Sequence, residues 1–385
     1  MNALRHTTRF PSAAAEVVGA LGFAPGRYGV APRRLPDWTR RQIPDPGFDF
    51  VVGMTSGVRV AVTTGASVIE LELAVIGIAP GGPALVELVV DGEWQDAVSI
   101  PADAQTLLAA DGSPTQECPP VRVSFHLPRT ERPTSSVELW LPHTTAVELV
   151  ALRADASFAP PRDARRVWLH HGSSISQCGE ASGPTRTWPA IAAARGGVSL
   201  RSLGFSGNAV GDPFVARTIR DHPAEAISIE IGINVVNGDL MRRRAFAPVL
   251  HGVLDTIREG HPTTPLVVLG PIPCPSLESM PGPTVIDPTT GQAASAGNVR
   301  ELDRGAMSLG TVREVLHEVL SSRSDDPLLF GLDGRDLLPE AEISDLDDGL
   351  HPNAAAYERM GRRFADFAFA PDGPFSPSAG PLPPA

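Results

Sequence analysis

Lysine is absent from this chain of 385 residues, so all 32 basic residues are arginine. That absence removes every lysine-dependent chemistry: Schiff bases, the phosphate-gripping lysine of a P-loop, and serine–lysine dyads. Cysteine is scarce as well. Cys118, Cys178 and Cys274 are too few for a disulfide scaffold or a four-thiolate zinc site, and they suit a reducing compartment. Positive charge is outnumbered, leaving a net charge of −12, which argues against a general nucleic-acid binder. No apolar run reaches the ~18 residues of a membrane span. The opening MNALRHTTRF carries no contiguous apolar stretch behind its basic residues, so no secretory leader or membrane segment is expected and the chain is read as cytoplasmic.

What is present divides the chain in two, in line with a prior of ~150 residues per domain. The first half reads as β structure. Ser67-Val-Ile-Glu-Leu-Glu-Leu-Ala-Val alternates, placing Ile69, Leu71, Leu73 and Val75 on one face and Glu70 and Glu72 on the other. Further strands are expected at 84–90, before the turn signal Asp91-Gly92, and at 121–127, 137–141 and 147–152, with no long helix between about 45 and 155. Short strands between Gly, Pro and Asp turns imply an antiparallel β-sandwich, carbohydrate-binding-module-like, over residues 1–160.

After Ala159-Pro-Pro-Arg-Asp-Ala-Arg-Arg the rhythm changes. Apolar strands at 167–170, 198–203, 226–231, 265–270 and 328–332 alternate with helical stretches at 188–195, 243–259, 299–320 and 353–367. That alternation implies an α/β, doubly wound parallel sheet over 161–370. Residues 275–297, rich in Pro, Gly, Thr and Ser, read as a surface excursion, and the Pro-rich tail 371–385 as disordered.

Open α/β sheets place their sites beyond the carboxyl ends of the strands. Four segments stand there: His170-His171-Gly172-Ser173-Ser174-Ile175-Ser176, Leu203-Gly204-Phe205-Ser206-Gly207-Asn208, Ile231-Gly232-Ile233-Asn234 and Asp348-Gly349-Leu350-His351. Together they offer a serine, glycine-loop N–H groups, an amide side chain, and a histidine with a carboxylate three residues earlier. Acyl transfer needs this set. A serine hydroxyl requires a base, the base requires a carboxylate to orient it, and the tetrahedral oxyanion requires preorganised donors. Ser174, Gly207 and Asn234 supply candidate donors. Asp345 and Asp347 are rival acids near His351, and Ser173 is the rival nucleophile. His170 and His171 lack spaced metal-ligand partners, so no metal site and no bound cofactor is expected.

These four blocks resemble the SGNH, or GDSL, hydrolases. In the resemblance Gly172-Ser173-Ser174-Ile175-Ser176 is the nucleophile block, Gly207 the second-block glycine, Gly232-Ile233-Asn234 the third block and Asp348-Gly349-Leu350-His351 the fourth. It implies Ser174, Asp348 and His351 as catalytic residues, with Ser174, Gly207 and Asn234 as the oxyanion hole. The family's Asp before the nucleophile is Ser173 here, and its Asp after the third-block Asn is Val235. The order of a β domain before the catalytic domain is similar to acyltransferase members of the family. It implies transfer of an acyl group, an aryl acyl such as salicyl, from a coenzyme A thioester to a polyketide hydroxyl. The alternative is an esterase or carbohydrate deacetylase. Partners are then a small-molecule acyl donor and a hydroxyl acceptor, with neither nucleic acid nor membrane.

Overall fold

The structure is a computed structural model that describes residues 4–129 and 132–376. It divides into two compact units: Met1–Ala164 with Gly183–Thr185, and Arg165–Ser182 with Arg186–Ala385. Among the described residues no helix is long and apolar enough to cross a membrane.

In the first unit the alternation of the sequence becomes a two-faced strand. Val68–Ile78 buries Ile69, Leu71, Leu73 and Val75, while Glu70 and Glu72 turn the other way and take ion pairs from Arg153 on the neighbouring strand. That strand belongs to an eight-stranded sheet; a second sheet has six strands. One apolar core draws on both, with Leu71 and Leu149 from the first sheet and Val60, Leu88 and Leu139 from the second. Asp91 and Gly92 both take positive φ, 51° and 88°, and join Ala84–Val90 to Glu93–Ile100 in a tight hairpin. One pairing departs from the antiparallel expectation: Val68–Ile78 runs parallel to Thr106–Leu108. The intervening chain crosses to the other sheet and returns in the same direction, which a meander of hairpins does not allow.

The main sheet of the second unit has five strands: β1 (Val167–Gly172), β2 (Ser199–Gly204), β3 (Ala226–Glu230), β4 (Leu266–Leu269) and β5 (Leu329–Leu332). Their order is β2-β1-β3-β4-β5, every pair parallel. Eight helices lie between and after them: α1 (Ser174–Gln177), α2 (Trp188–Gly196), α3 (Pro213–Asp221), α4 (Ile233–Asn237), α5 (Arg243–Gly260), α6 (Leu309–Ser321), α7 (Gly334–Leu337) and α8 (Ala354–Ala368). The order reverses at β1, whose successors β2 and β3 lie on opposite sides of it. Such a switch point opens a crevice at the carboxyl ends of the strands.

Two expectations need correction, and a third gains detail. Residues 299–320 are not one helix: a 3₁₀ turn over Val299–Arg304 ends at Gly305, φ 86°, and α6 starts afresh from the Ser308 cap on Thr311 N–H. The excursion 275–297 contains a hairpin, Thr284–Ile286 with Ala293–Ser295. Disorder does not begin at Pro371. Phe375 is fully buried, its ring 5.5 Å from Phe369 and 6.2 Å from Phe364, and the Arg166 guanidinium donates to its carbonyl at 2.8 Å. The rest of the tail, 377–385, lies outside the described residues.

Candidate active site

β1 delivers the first block. Gly172 must be glycine, because a Cβ there would stand 2.2 Å from Ser176 Oγ and 2.7 Å from Glu230 Oε2. Ser173 caps α1, its hydroxyl accepting from Ile175 N–H at 3.2 Å, so Ser174 is the first residue of the helix. Ser174 is partly exposed, whereas Ser173 is fully buried. Ser174 Oγ lies 2.9 Å from His351 Nε2, and His351 Nδ1 lies 2.7 Å from Asp348 Oδ2. The structure thus brings Ser174, His351 and Asp348 into one hydrogen-bonded line.

Local chemistry explains the shape of the Asp348–His351 loop. Asp348 Oδ1 accepts from the backbone N–H groups of Leu350, at 2.9 Å, and His351, at 2.7 Å. Partial burial opposes the charge of this carboxyl, but those N–H donors and the imidazole outweigh it and hold Asp348 below the usual carboxylate range. Neither rival acid occupies the place. Asp345 is paired with Arg359, and Asp347 is exposed. From outside, Ala293 N–H donates to the Asp348 carbonyl at 2.7 Å and the Gln292 amide to the Asp347 carbonyl at 2.8 Å. Beside this loop opens a cavity of about 540 Å³ bordered by Ser276, Gln292, Asp347 and Gly349.

The second and third blocks are tied to one another. Asn234 Oδ1 accepts from Ala209 N–H at 3.0 Å, which leaves its NH₂ as the outward donor. Gln177 of α1 accepts from Ser206 N–H at 3.0 Å. The loop around Gly207, φ 74°, is therefore held on one flank by α1 and on the other by Asn234. Gly232 adopts φ 123°, a conformation that side chains rarely take, and as the residue before Ile233 it starts α4 with Asn234 in its first turn. Val235 beside it is fully buried.

His170 and His171 are structural. Burial pushes their imidazoles down to about 3 and about 4, so both are neutral at ordinary pH. His170 bridges Ser228 Oγ, 2.7 Å, and Ser176 Oγ, 2.8 Å; His171 Nδ1 donates to the Leu203 carbonyl at 2.8 Å. Trp188 is buried and donates to the Ile175 carbonyl at 3.0 Å, bracing α1. Burial also pushes the Cys178 thiol well up, away from reactive thiolate.

Two participants escaped the sequence reading, Gln177 and Glu230. Glu230 did leave a signal: a carboxylate at the end of the otherwise uncharged buried run Ala226–Glu230.

Residues 171–359 match the GDSL-like Lipase/Acylhydrolase family. Among solved structures, a salicylyl-acyltransferase from a tetracycline biosynthetic pathway, SsfX3, is 26% identical, with a TM-score of 0.76 over 93% of this chain and 95% of that one. A GDSL-like lipase structure from Bacteroides ovatus is 17% identical, TM-score 0.64, over 93% and 96%. A family two carbohydrate esterase from Cellvibrio japonicus is 12% identical, TM-score 0.58, over 94% and 96%. The last two likenesses speak for the fold alone. No curated protein sequence matches the chain.

Proposed function

We propose that this chain, whose residues 171–359 are a GDSL-like lipase/acylhydrolase domain, moves acyl groups through a covalent ester on Ser174. The observation that carries the reading is the unbroken line Ser174 Oγ–His351 Nε2 and His351 Nδ1–Asp348 Oδ2. In this reading His351 Nε2 takes the Ser174 proton as Oγ attacks the acyl carbonyl. Asp348 fixes the imidazole with Nδ1 protonated and stabilises the imidazolium that forms. The Ser174 and Gly207 N–H groups and the Asn234 amide receive the oxyanion. Collapse expels the donor's leaving group, which takes the proton from His351. An acceptor hydroxyl then gives its proton to His351 and attacks the acyl-Ser174 carbonyl; collapse breaks the acyl–Oγ bond, and Oγ takes that proton back from His351 to restore the free serine.

For the acceptor and donor we infer transfer rather than hydrolysis. The likeness to an acyltransferase over nearly the whole of both chains supports it. The donor is then an acyl-coenzyme A thioester, an aryl acyl such as salicyl among the candidates, and the acceptor a hydroxyl of a polyketide. A donor of this kind is a co-substrate and needs no resident cofactor. The second reading, an ester hydrolase, draws on the fold shared with carbohydrate esterases. The partition of acyl-Ser174 separates the two. A panel of acyl-coenzyme A thioesters is incubated with and without polyketide and sugar acceptors, and ester and free acid are measured by mass spectrometry. Transfer predicts an ester-to-acid ratio that climbs with acceptor concentration. A ratio near zero at saturating acceptor rejects transfer and leaves the esterase.

A further inference from the structure

Glu230 ends β3 directly beneath the nucleophile block, and its carboxyl is almost wholly buried. Oε2 accepts from the Ser173 backbone N–H at 2.7 Å and from the Ser176 hydroxyl at 3.1 Å. Oε1 is buried with no hydrogen-bond partner, and among the described residues no cation is paired with the group. The space it fills exists because Gly172 has no Cβ.

A chain of donors runs toward it. The Trp168 indole N–H donates to Ser228 Oγ at 2.9 Å, and His170 bridges Ser228 and Ser176. With Ser176 O–H committed to Glu230, Ser176 Oγ accepts from His170 Nε2–H. His170 Nδ1 is then bare and accepts from the Ser228 hydroxyl. This is a neutral imidazole with one defined tautomer, consistent with its burial. Every link points one way and ends on Glu230 Oε2, and among the described residues the group supports no ion pair.

We propose that Glu230 is a positioning residue, the acceptor that fixes the Gly172–Ser173 peptide and the Ser176 hydroxyl on either side of Ser174, and through them the aim of Ser174 Oγ and the Ser174 N–H. The inference rests on the reading of Ser174 as nucleophile. What matters in it is an oxygen at the Oε2 position rather than a negative charge, because both groups bonded to it are neutral donors. Burial pushes the carboxyl upward from its ordinary range, which agrees with that view.

The test uses the full chain and p-nitrophenyl acetate, with an alkyl fluorophosphonate as a second probe of Ser174. Glu230→Met keeps the volume and removes the acceptor. A misaimed nucleophile costs on the order of 100-fold, so kcat and the phosphonylation rate should both fall by about that factor while KM stays within about 3-fold. Glu230→Gln restores an acceptor oxygen without charge and should keep at least about a third of the parental kcat. Parental kcat in Glu230→Met overturns the proposal. So does a ~100-fold loss in a folded Glu230→Gln, which would assign the role to the charge. The Gln variant decides the matter even where Glu230→Met does not fold. Ser174→Ala serves as the separate control: parental turnover there sinks the nucleophile reading itself, whereas an inactive Ser174→Ala leaves the Glu230 arms to judge positioning alone.

Discussion

Glu138 of the first unit and Glu230 of the second are both buried, and the two are treated differently. In the β unit Glu138 sits with Arg59, 3.2 Å away, and accepts from the Trp140 indole at 3.0 Å; the Arg59 guanidinium in turn covers the Trp140 ring at 4.8 Å. Charge, hydrogen bond and aromatic face close on one another. In the α/β unit Glu230 has two neutral donors, one bare oxygen and no cation. A buried carboxylate costs several kcal/mol unless it is compensated. The first cluster compensates locally and connects to nothing chemical. The second stays incompletely satisfied and touches the backbone next to Ser174. At Glu230 the unsatisfied oxygen belongs to the same carboxyl that holds the backbone leading into Ser174.

The comparison breaks most visibly at Ser174. Ser174→Ala should lower the acyl-transfer or esterase rate by ~10⁴-fold or more with the fold retained, as mass spectrometry of the acyl-enzyme and circular dichroism will show. An adduct that forms in this variant and maps to Ser173 would shift the register by one. Next comes Asn234→Ala, with an expected loss of about 10²–10³ in kcat and little change in KM, because its amide acts on the oxyanion and not on the bound ester. A change in KM alone would make Asn234 a substrate-binding residue. In the β unit the largest response is one of stability. Leu73→Ala removes a fully buried side chain from the two-sheet core and should cost about 2–5 kcal/mol in urea denaturation.

The smallest effect concerns acid. His170 and His171, pushed to about 3 and about 4 by burial, stay neutral in the fold while the unfolded chain takes up protons near pH 6.5. The unfolded state binds more protons in that window, so stability is fully present above about pH 6.5 and falls as pH drops toward 4. Asp348 adds to the loss at lower pH, where its depressed carboxyl is protonated. Denaturation midpoints measured from pH 7 to 4 should decline, and His171→Asn should flatten part of the slope. A flat profile in the parent would place both imidazoles in contact with water.

Much of this was legible in the sequence where a periodicity or a register carries it. Ile69, Leu71, Leu73 and Val75 announced the core face by alternation, and Gly172-Ser173-Ser174 with Asp348-Gly349-Leu350-His351 marked the end of β1 and the approach to α8, which the fold brings within hydrogen-bond reach. What stayed hidden depends on contacts distant in sequence. The parallel pairing of Val68–Ile78 with Thr106–Leu108 follows from how two sheets share a core, which no local pattern encodes. α3 was missed although Pro213 stands at its first turn, because the glycine-rich approach to it reads as loop. Composition alone places Phe375 in a disordered tail, yet a single aromatic that finds a cluster of rings is enough to hold the chain down to Ser376. Glu230 was visible as an anomaly, but its meaning required knowing that β3 lies beside β1.

The bond from the Ala293 amide to the Asp348 carbonyl has a consequence for anyone reshaping this protein. An alanine scan passes over position 293 silently, since the residue is already alanine and contributes through its backbone. Side-chain libraries across the 284–295 hairpin will explore specificity while the tether persists; trimming the hairpin removes it, and with it the support of the loop that carries His351. Ala293→Pro is the one coded substitution that deletes the donor and leaves the hairpin's length intact, so a loop-grafting campaign should make it first, to learn how much activity hangs on a single amide hydrogen.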